Sequence, residues 1–375
     1  MSYFAKKFQR STFDTDQFVK MANKHIDKQW KKGKRVWDPF FLAVSAYLSD
    51  LNVKQKNGGP FGAVIVEYEG GLDEHGKGIG KPHVIGVGAN HVVPNNDPSA
   101  HAEMVAYRDA AKRKGYSDLK NTVLFTSCEC CPQCLGMANG SGIGRIVYMN
   151  TRQEAENIGF SDKLQYDMFK LSREEQMTHI DRLGEDEQEV LRCRLSHHGA
   201  VVLNERGQTF AFGDEDTRRD PTGLASLNAI RNALEKYAAL QRRAGNTEPV
   251  FSLPDGYTLV CRRIPHPTPL TTADWARMLR QQNDPRDPES DNKIINPMRI
   301  IHLSSEYEPL RVLNERGTLL RHQDSETTYL QPTLPDNERK IPTERYEGAA
   351  VASAAREVFD MWKEFTGQEG AAVKY

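Results

Sequence analysis

The apolar positions of the chain first follow a helical period and then gather in short runs. From Asp38 to Leu51, apolar side chains stand three and four positions apart behind an Asp-Pro start, which predicts an amphipathic helix. The runs 61–68 and 84–88 are rich in β-branched residues and enclose a glycine-rich segment. This pattern predicts two strands joined by a long hairpin loop.

Helices and strands continue to alternate along the first half of the chain. Asp97-Pro98-Ser99 can cap the free amides of a helix, so we expect a helix over 100–114. A strand is expected over 122–126, and a cysteine-rich turn then opens another helix before a further strand at 145–149. Such alternation predicts an α/β sandwich.

The second half of the chain repeats this order more faintly. Asp220-Pro221-Thr222 and the helix-forming stretch behind it match Asp97-Pro98-Ser99 and its helix without a gap. Three pairs of expected strands also match: 199–203 with 62–66, 257–261 with 122–126, and 299–303 with 145–149. We interpret the pattern as an internal duplication. The alternative is two unrelated α/β domains with generic patterning.

The repeat lacks the chemically active residues of the first copy. Leu224 and Ser226 stand where the first copy has His101 and Glu103, and no cysteine pair follows the matched strand. We therefore expect the second copy to bind no metal. The expected organisation is a basic N-terminal arm (1–37), a first domain (38–171), a degenerate second domain (172–331), and a C-terminal linker and helix (332–375).

Length, composition and charge fit a soluble protein of two domains. The chain has 375 residues, of which 38% are hydrophobic and 27% charged, so it can bury two cores of ordinary size. A net charge of −1 excludes an overall bias towards nucleic acid or anionic membranes. The sequence shows neither a signal-peptide pattern nor an apolar run of membrane length, so we expect a cytoplasmic protein.

A locally basic stretch near the N-terminus interrupts this balance. It contains Lys28, Lys31, Lys32, Lys34 and Arg35. We interpret it as part of a solvated arm, and contact with RNA is the alternative.

Four of the six cysteines fall within seven residues, at positions 128, 130, 131 and 134. In a reducing compartment such a cluster indicates metal binding or catalysis before disulfides. Cys131 and Cys134, together with His101, offer the sulfur and nitrogen ligands that zinc prefers and leave a fourth position for water. Glu103, two residues after His101, would then shuttle protons.

The same cluster permits a closed structural zinc site. Cys128 and Cys131 are also three residues apart, so four cysteines could hold a metal that does no chemistry. That arrangement would leave His101 and Glu103 without a role. We interpret Cys128 and Cys130 as small buried side chains near the site, and a contribution of either to the metal is left open.

Five stretches of the chain carry a family resemblance. They are 58–66, 88–90, 96–103, 126–136 and 151–162, and they include the His-x-Glu and Cys-x-x-Cys pairs. On these residues the chain resembles the cytidine deaminase-like superfamily, and within it the guanine deaminase and nucleoside deaminase branch, over about 40–169. The resemblance implies a three-layer α/β/α sandwich, here duplicated as an active domain plus a pseudo-domain.

The resemblance also implies an activity and a substrate site. The activity would be zinc-dependent hydrolytic deamination of a guanine-like purine base or nucleoside, with release of ammonia. Asn90 would hydrogen-bond the base, Phe61 would stack on the ring or wall it, and Asp162 would bind the guanine edge. Ala63 is expected beside them. The alternatives are a core residue for Phe61 and a turn residue with left-handed geometry for Asn90.

The chain also departs from the family pattern. Cys130 stands where the family has proline, and residues 137–142 replace an aromatic-rich helix that normally helps to line the base pocket. A larger or more polar pocket would also admit guanosine, a modified purine or another amino-heterocycle as the substrate.

Two other functions remain as alternatives: a tRNA or RNA adenosine deaminase, and a non-catalytic assembly protein with structural zinc. The expected partner is a small purine-like molecule rather than nucleic acid. A homodimer is left open, with the second domain packed on the first.

Overall fold

Two five-stranded β-sheets organise the protein. The structure is a computed structural model that describes residues 14–170, 199–217, 220–247, 252–263, 265–273 and 341–368, the strand segments 180–182, 299–302, 311–313 and 319–322, and residues 195, 250, 334 and 339. Most of 172–198 and of 274–340 therefore lies outside the described residues.

The described residues up to 170 alternate between helices and strands. In chain order the elements are α1 (Thr15–Lys31), α2 (Asp38–Lys54), β1 (Gly62–Tyr68), β2 (Pro82–Ala89), α3 (Val92–Asn95), α4 (Ala102–Lys114), β3 (Thr122–Cys128), α5 (Pro132–Ser141), β4 (Arg145–Asn150), α6 (Arg152–Glu156) and α7 (Lys163–Lys170). Every helix and strand expected over 38–149 is confirmed, with bounds that differ by a few residues.

The later described elements follow the faint repeat. They are β5 (Ile180–Arg182), β6 (Ala200–Leu203), β7 (Thr209–Gly213), α8 (Ala225–Arg243), β8 (Thr258–Cys261), β9 (Arg299–His302), β10 (Arg311–Leu313), β11 (Leu319–His322), β12 (Thr343–Arg345) and α9 (Ala349–Gln368). Residues 267–273 are also helical.

The first sheet has the strand order β12-β4-β3-β1-β2. β1 runs antiparallel to β2 and β3, whereas β3, β4 and β12 are parallel. Successive side chains of a strand point to opposite faces. Val64 and Phe125 pack with α1 and α2, while Ile65 and Leu124 pack with α4 and α5. Helices cover both faces, so the expected three-layer α/β/α sandwich is confirmed.

Glycines allow α4 to lie directly against β2. A Cβ atom on Gly88 would lie 2.1 Å from the carbonyl oxygen of Ala102, and one on Gly86 would lie 2.6 Å from that of Ala106. A side chain at either position would push the helix away from the strand. The two glycines therefore fix where the first turn of α4 begins.

Within the segment that we expected to be a solvated N-terminal arm, helix α1 packs in the core instead. Phe18, Ala22 and Ile26 on α1 are fully buried in the cluster that α2 and the first sheet share. They recur every four residues, which places them on one face of the helix. The solvated interpretation holds for basic side chains on the opposite face of this helix and just after it: Lys20, Lys24, Lys28, Lys31, Lys32 and Arg35 are exposed.

The expected C-terminal linker also joins the first sheet. Residues 343–345 form β12 and pair with β4, with Thr343 opposite Ile146. The final helix is present as α9, and it packs on α2 and β4. β12 and α9 therefore complete the first sandwich rather than lying apart from it.

The second sheet has the order β5-β9-β8-β6-β7. β6 runs antiparallel to β7 and β8, whereas β8, β9 and β5 are parallel. Strand for strand, these are the order and directions of the first sheet. The assignment of 172–331 to a degenerate domain stays a prediction.

None of the helices in the described ranges combines the length and the apolar character that crossing a membrane requires. The cytoplasmic location expected from the sequence stays a prediction.

Because one face of α1 is buried in the core, truncating a side chain on that face should lower the stability of the protein. Phe18→Ala should lower the free energy of unfolding by roughly 3–5 kcal/mol, because a fully buried ring is replaced by a methyl group that leaves a cavity. Lys24→Ala, at an exposed position of the same helix, should change it by less than about 0.5 kcal/mol. Urea unfolding followed by circular dichroism measures both values. Equally small effects of the two substitutions would mean that α1 contributes nothing to the core.

Candidate metal centre and active site

Two helix starts carry the candidate metal ligands. His101 is the N-cap of α4 and Cys131 is the N-cap of α5, both with extended backbones. Pro132 suits the first position of α5, because the N–H that proline lacks would have no partner within the helix there. Cys134 follows three residues after Cys131 and therefore lies on the same side of the helix.

Three donor atoms converge where these helices begin. His101 Nδ1 lies 3.5 Å from Cys131 Sγ and 3.6 Å from Cys134 Sγ, and the two sulfurs are 3.6 Å apart. A tetrahedral zinc ion, with bonds of about 2.3 Å to sulfur and about 2.0–2.1 Å to nitrogen, separates two sulfurs by about 3.8 Å and a nitrogen from a sulfur by about 3.6 Å. The three residues therefore fit zinc in both donor chemistry and spacing.

The three donors also influence one another's pKa values. Burial raises the pKa of Cys131, but its hydrogen bond with Cys134 and the positive charge of His101 lower it well below the usual value. Burial disfavours protonation of His101, yet the Cys131 thiolate raises its pKa. A thiolate is the form of cysteine that binds metal. In the part of the chain that the structure describes, His101, Cys131 and Cys134 are the one group able to hold an ion.

Glu103 lies beside these donors on the first turn of α4 and is buried. The Thr126 hydroxyl donates a hydrogen bond of 2.8 Å to Glu103 Oε1, and the Cys134 thiol donates one of 3.4 Å to Oε2. Burial and the charge of the Cys131 thiolate raise the pKa of the Glu103 carboxyl. Thr126 therefore orients the carboxylate towards the donors. The sequence placed Thr126 in a family stretch but indicated no role for it.

The other two cysteines of the cluster lie outside the donor group. Cys128 ends β3, and its thiol donates to the Thr151 carbonyl oxygen at 3.6 Å. The Tyr166 hydroxyl donates to the carbonyl oxygen of Cys130 at 2.6 Å and so holds the ligand loop. Burial raises the pKa of both thiols well above the usual value. A closed site of four cysteines would require these side chains to move.

A cavity opens in front of the donors. Three of the residues expected to bind substrate line it: Phe61, Asn90 and Asp162. His101, Glu103 and Cys131 line the same cavity. Ala63 is not a lining residue, because it is fully buried in the core on the face of β1 that packs against α4 and α5.

Hydrogen bonds to its backbone groups hold Asn90 in place. The Asn52 side-chain amide donates to the Asn90 carbonyl oxygen at 2.8 Å, and the Asn90 N–H donates to the Phe61 carbonyl oxygen at 3.1 Å. The residue with left-handed backbone in the loop that follows is Asn96, with φ of 48°. The alternative of a left-handed turn residue is therefore wrong for Asn90.

Asp162 is a buried carboxyl in the cavity wall. It is 8% exposed, and burial together with the charge of the Cys131 thiolate raises its pKa well above the usual range. A buried carboxyl favours a ligand that donates N–H groups to it. The charged residues Glu129 and Arg152 also line the cavity; the sequence placed both in family stretches but indicated no role for either.

Aromatic rings form another part of the wall. Phe61 and Phe160 meet edge to face with ring centres 4.8 Å apart. From α9, Phe359 lies 5.6 Å from Phe61, and Trp362 lies 5.6 Å from Phe160. The sequence predicted α9 but not its place. The sequence indicates that α9 packs on another element only through a stripe of apolar residues at helical spacing, which includes Ala355, Phe359 and Trp362.

Part of the chain is similar to known deaminases. Residues 36–150 match the family model of the cytidine and deoxycytidylate deaminase zinc-binding region. Guanine deaminase of Bacillus subtilis (strain 168) is 37% identical over 126 residues, which cover 34% of this chain and 72% of that protein. A tRNA-specific adenosine deaminase of Buchnera aphidicola subsp. Schizaphis graminum is 30% identical over 105 residues, 28% of this chain and 61% of that protein. The X-ray structure of the Bacillus subtilis guanine deaminase aligns at 36% identity over 34% of this chain and 73% of its own, with a TM-score of 0.30.

The donor geometry predicts about one zinc ion per chain, held by three residues. Cys131→Ala should abolish zinc binding, because it removes one of the two sulfur donors. Cys128→Ala changes a buried cysteine of the same cluster and should leave the zinc content unchanged. Mass spectrometry of the metal in the purified proteins measures the stoichiometry. Loss of zinc from both variants would indicate a site closed by further cysteines.

Proposed function

Because the chain belongs to the cytidine and deoxycytidylate deaminase family, we propose that it is a zinc-dependent hydrolytic deaminase of a guanine-like purine base or nucleoside, which releases ammonia. One observation supports this proposal most strongly. Two of the three zinc donors, His101 and Cys131, line one cavity together with Glu103 and the buried Asp162. Metal, proton transfer and recognition of N–H groups are thus available at one place.

Each group has a distinct task in the hydrolysis. A zinc ion held by His101, Cys131 and Cys134 supplies Lewis-acid activation of water at neutral pH. Glu103 accepts the proton that the attacking water loses and passes it to the ring nitrogen beside the reacting carbon. It then accepts the proton of the newly added hydroxyl group and delivers it to the departing amine. Thr126 keeps the carboxylate in position for both transfers. One water is consumed, the amine leaves as ammonia, and the ring keeps an oxo group.

The polar groups of the cavity suit the edge of guanine. The amine-bearing carbon of guanine lies next to a ring N–H, and the Asp162 carboxylate can accept a hydrogen bond from that N–H. The Asn90 amide offers both a donor and an acceptor to the rest of the ring. Phe61 and Phe160, whose rings stand nearly at right angles, supply apolar surface against which a purine can pack.

Deamination of adenosine in RNA is a second candidate. Exposed basic side chains around the end of α1 favour it, as does the similarity to a tRNA-specific adenosine deaminase. Contacts with phosphates would make tRNA binding fall steeply as salt is raised. A gel-shift titration with tRNA at several salt concentrations measures this, and absence of binding at low salt would count against the RNA substrate.

Ammonia release tests the proposed reaction. Zinc-loaded protein should release ammonia from guanine-like members of a panel of purine bases and nucleosides. Glu103→Gln should keep the zinc and lower turnover by about 10²–10⁴-fold, because the proton shuttle is lost. Glu74→Gln, in the exposed hairpin loop, should leave turnover unchanged. Ammonia from no purine would overturn the purine substrate, and an unaffected biological activity in Glu103→Gln would support a non-catalytic role.

Asp162→Asn tests whether Asp162 recognises the substrate. The substitution keeps the size of the side chain but replaces a charged acceptor, which is worth about 1.5–3 kcal/mol in a hydrogen bond. We therefore expect kcat/KM for guanine-like purines to fall roughly 10–150-fold while the zinc content stays the same. Asp167→Asn, at a half-exposed position of α7, is the control and should have no effect. Unchanged kcat/KM in Asp162→Asn would remove Asp162 from substrate recognition.

A further inference from the structure

The two halves of the chain share local details as well as strand order. In each half an aspartate accepts hydrogen bonds from the backbone N–H and the hydroxyl of the residue two positions later. Asp97 accepts from Ser99 at 2.9 and 2.6 Å, and Asp220 accepts from Thr222 at 2.8 and 2.7 Å. The same turn therefore leads into α4 and into α8.

The contact between strand and helix recurs in the same way. A Cβ atom on Gly213 would lie 1.9 Å from the Ala225 carbonyl oxygen, just as one on Gly88 would lie 2.1 Å from that of Ala102. Leu224 is the N-cap of α8, the place that the metal donor occupies on α4. These details support the duplication of one fold. Since leucine has no atom that binds metal, the second copy is disarmed at this position.

The two copies contact each other through matching residues. Arg108 and Arg231 each stand 11 residues after their own aspartate. Arg108 Nε donates to Thr222 Oγ1 at 2.7 Å, and Arg231 Nε lies 3.1 Å from an oxygen of Asp97. Each arginine thus reaches the helix-capping turn of the other copy. Such reciprocity is typical of an interface related by a two-fold axis.

A second contact reaches the residue between the two cysteine ligands. Thr268 Oγ1 donates to the Gln133 carbonyl oxygen at 3.1 Å, and Thr272 Oγ1 donates to Gln133 Oε1 at 2.7 Å. Gln133 is fully buried. The second copy is therefore hydrogen-bonded to the turn that carries both sulfur donors.

Small residues on α5 make room for this contact. Every residue of α5 is buried, and a Cβ atom on Gly136 would lie 3.2 Å from Thr268 Oγ1. A bulky side chain at such a position would force the two copies apart. The absence of aromatic residues in the part of α5 after Gly136 agrees with a helix enclosed between the first sheet and the second copy.

The copies also exchange their last strands. β5 follows the strands of the first copy along the chain but pairs with β9 in the second sheet. β12 follows the strands of the second copy but pairs with β4 in the first sheet. Each sheet is therefore complete only in the presence of the other copy.

We infer that the second half of the chain is a disarmed copy of the first that serves as its built-in partner and holds the two loops that carry the zinc ligands. Arg231 and Thr272 are the positioning residues. Arg231 acts through Asp97, four residues before His101, and Thr272 acts through Gln133. The inference rests on the zinc site and not on the choice of substrate, so measurement of the metal tests it separately.

Zinc release from the full chain tests this inference. Zinc-loaded protein is mixed with an excess of a chromophoric chelator, the rate of release is followed by absorbance, and the melting temperature is measured in parallel. Thr272→Val should release zinc roughly tenfold faster than the unchanged protein, the scale on which groups behind metal ligands act. Thr272→Ser keeps the hydroxyl and should restore the slow rate.

Thr271→Val is the matched control. The Thr271 hydroxyl donates to the Pro267 carbonyl oxygen at 2.9 Å, four residues back in the same helix. The Thr272 hydroxyl lies 2.8 Å from the Thr268 carbonyl oxygen, also four residues back, and 2.7 Å from Gln133 Oε1, so its single proton is shared between these two acceptors. Both valine substitutions remove such a bond, but only Thr272→Val loses the contact with Gln133. Thr271→Val should lower the melting temperature by a similar amount and change the release rate less than about twofold. Equal release rates in the two variants would overturn the inference.

A second pair of variants tests the other loop. Arg231→Met removes the second copy's arginine from Asp97 and leaves Arg108 of the first copy 3.7 Å from it, whereas Arg242→Met removes an exposed arginine from the same helix as Arg231. We expect faster zinc release, again roughly tenfold, from Arg231→Met alone. Equal rates in these two variants would show that the second copy does not hold the ligand helix.

Discussion

The close approach of α4 to β2 determines the position of the metal site. With glycine at 86 and 88, the helix backbone rests against the strand without intervening side chains. His101, at the start of that helix, is thereby brought to 3.5 and 3.6 Å from two sulfurs on a different helix. Zinc bond lengths tolerate deviations of only about 0.2 Å, which is far less than the displacement that a methyl group would cause. The site is therefore set by backbone packing before any ligand side chain is considered.

A cation offsets the electrostatic cost of this arrangement. Glu103, Cys131, Cys134 and Asp162 all lie in a water-poor region, and burial raises the pKa of each carboxyl and of the Cys134 thiol. Anionic groups so close together are unfavourable unless a positive charge is placed among them. A divalent ion supplies it, and the same burial keeps bulk water away from the reacting groups. The second half contributes to this enclosure because it covers α5, whose residues are buried throughout.

Local patterns predicted the elements and the donors but not the long-range contacts. His101, Glu103 and the Cys131–Cys134 pair could be identified because each pair of residues lies within a few positions of the chain, at the start of a helix. β12 could not, since it has three residues, two of them exposed, and pairs with β4 about 200 residues away in sequence. The gap-free match of the two helix-forming stretches aligns Arg108 with Arg231, but it could not predict that each arginine would reach the turn that precedes the other helix. The packing of α1 was not predicted, because the basic residues at its end indicated a solvated segment although apolar residues four positions apart form a buried face.

A zinc ion held by one nitrogen and two sulfurs, with one position left for water, is the claim on which function depends. X-ray absorption at the zinc edge measures this shell directly, because bonds to sulfur are about 2.3 Å and bonds to nitrogen or oxygen about 2.0–2.1 Å. We expect two sulfur donors and two nitrogen or oxygen donors in the purified protein. A shell of four sulfur donors would contradict the catalytic site and indicate a closed structural one.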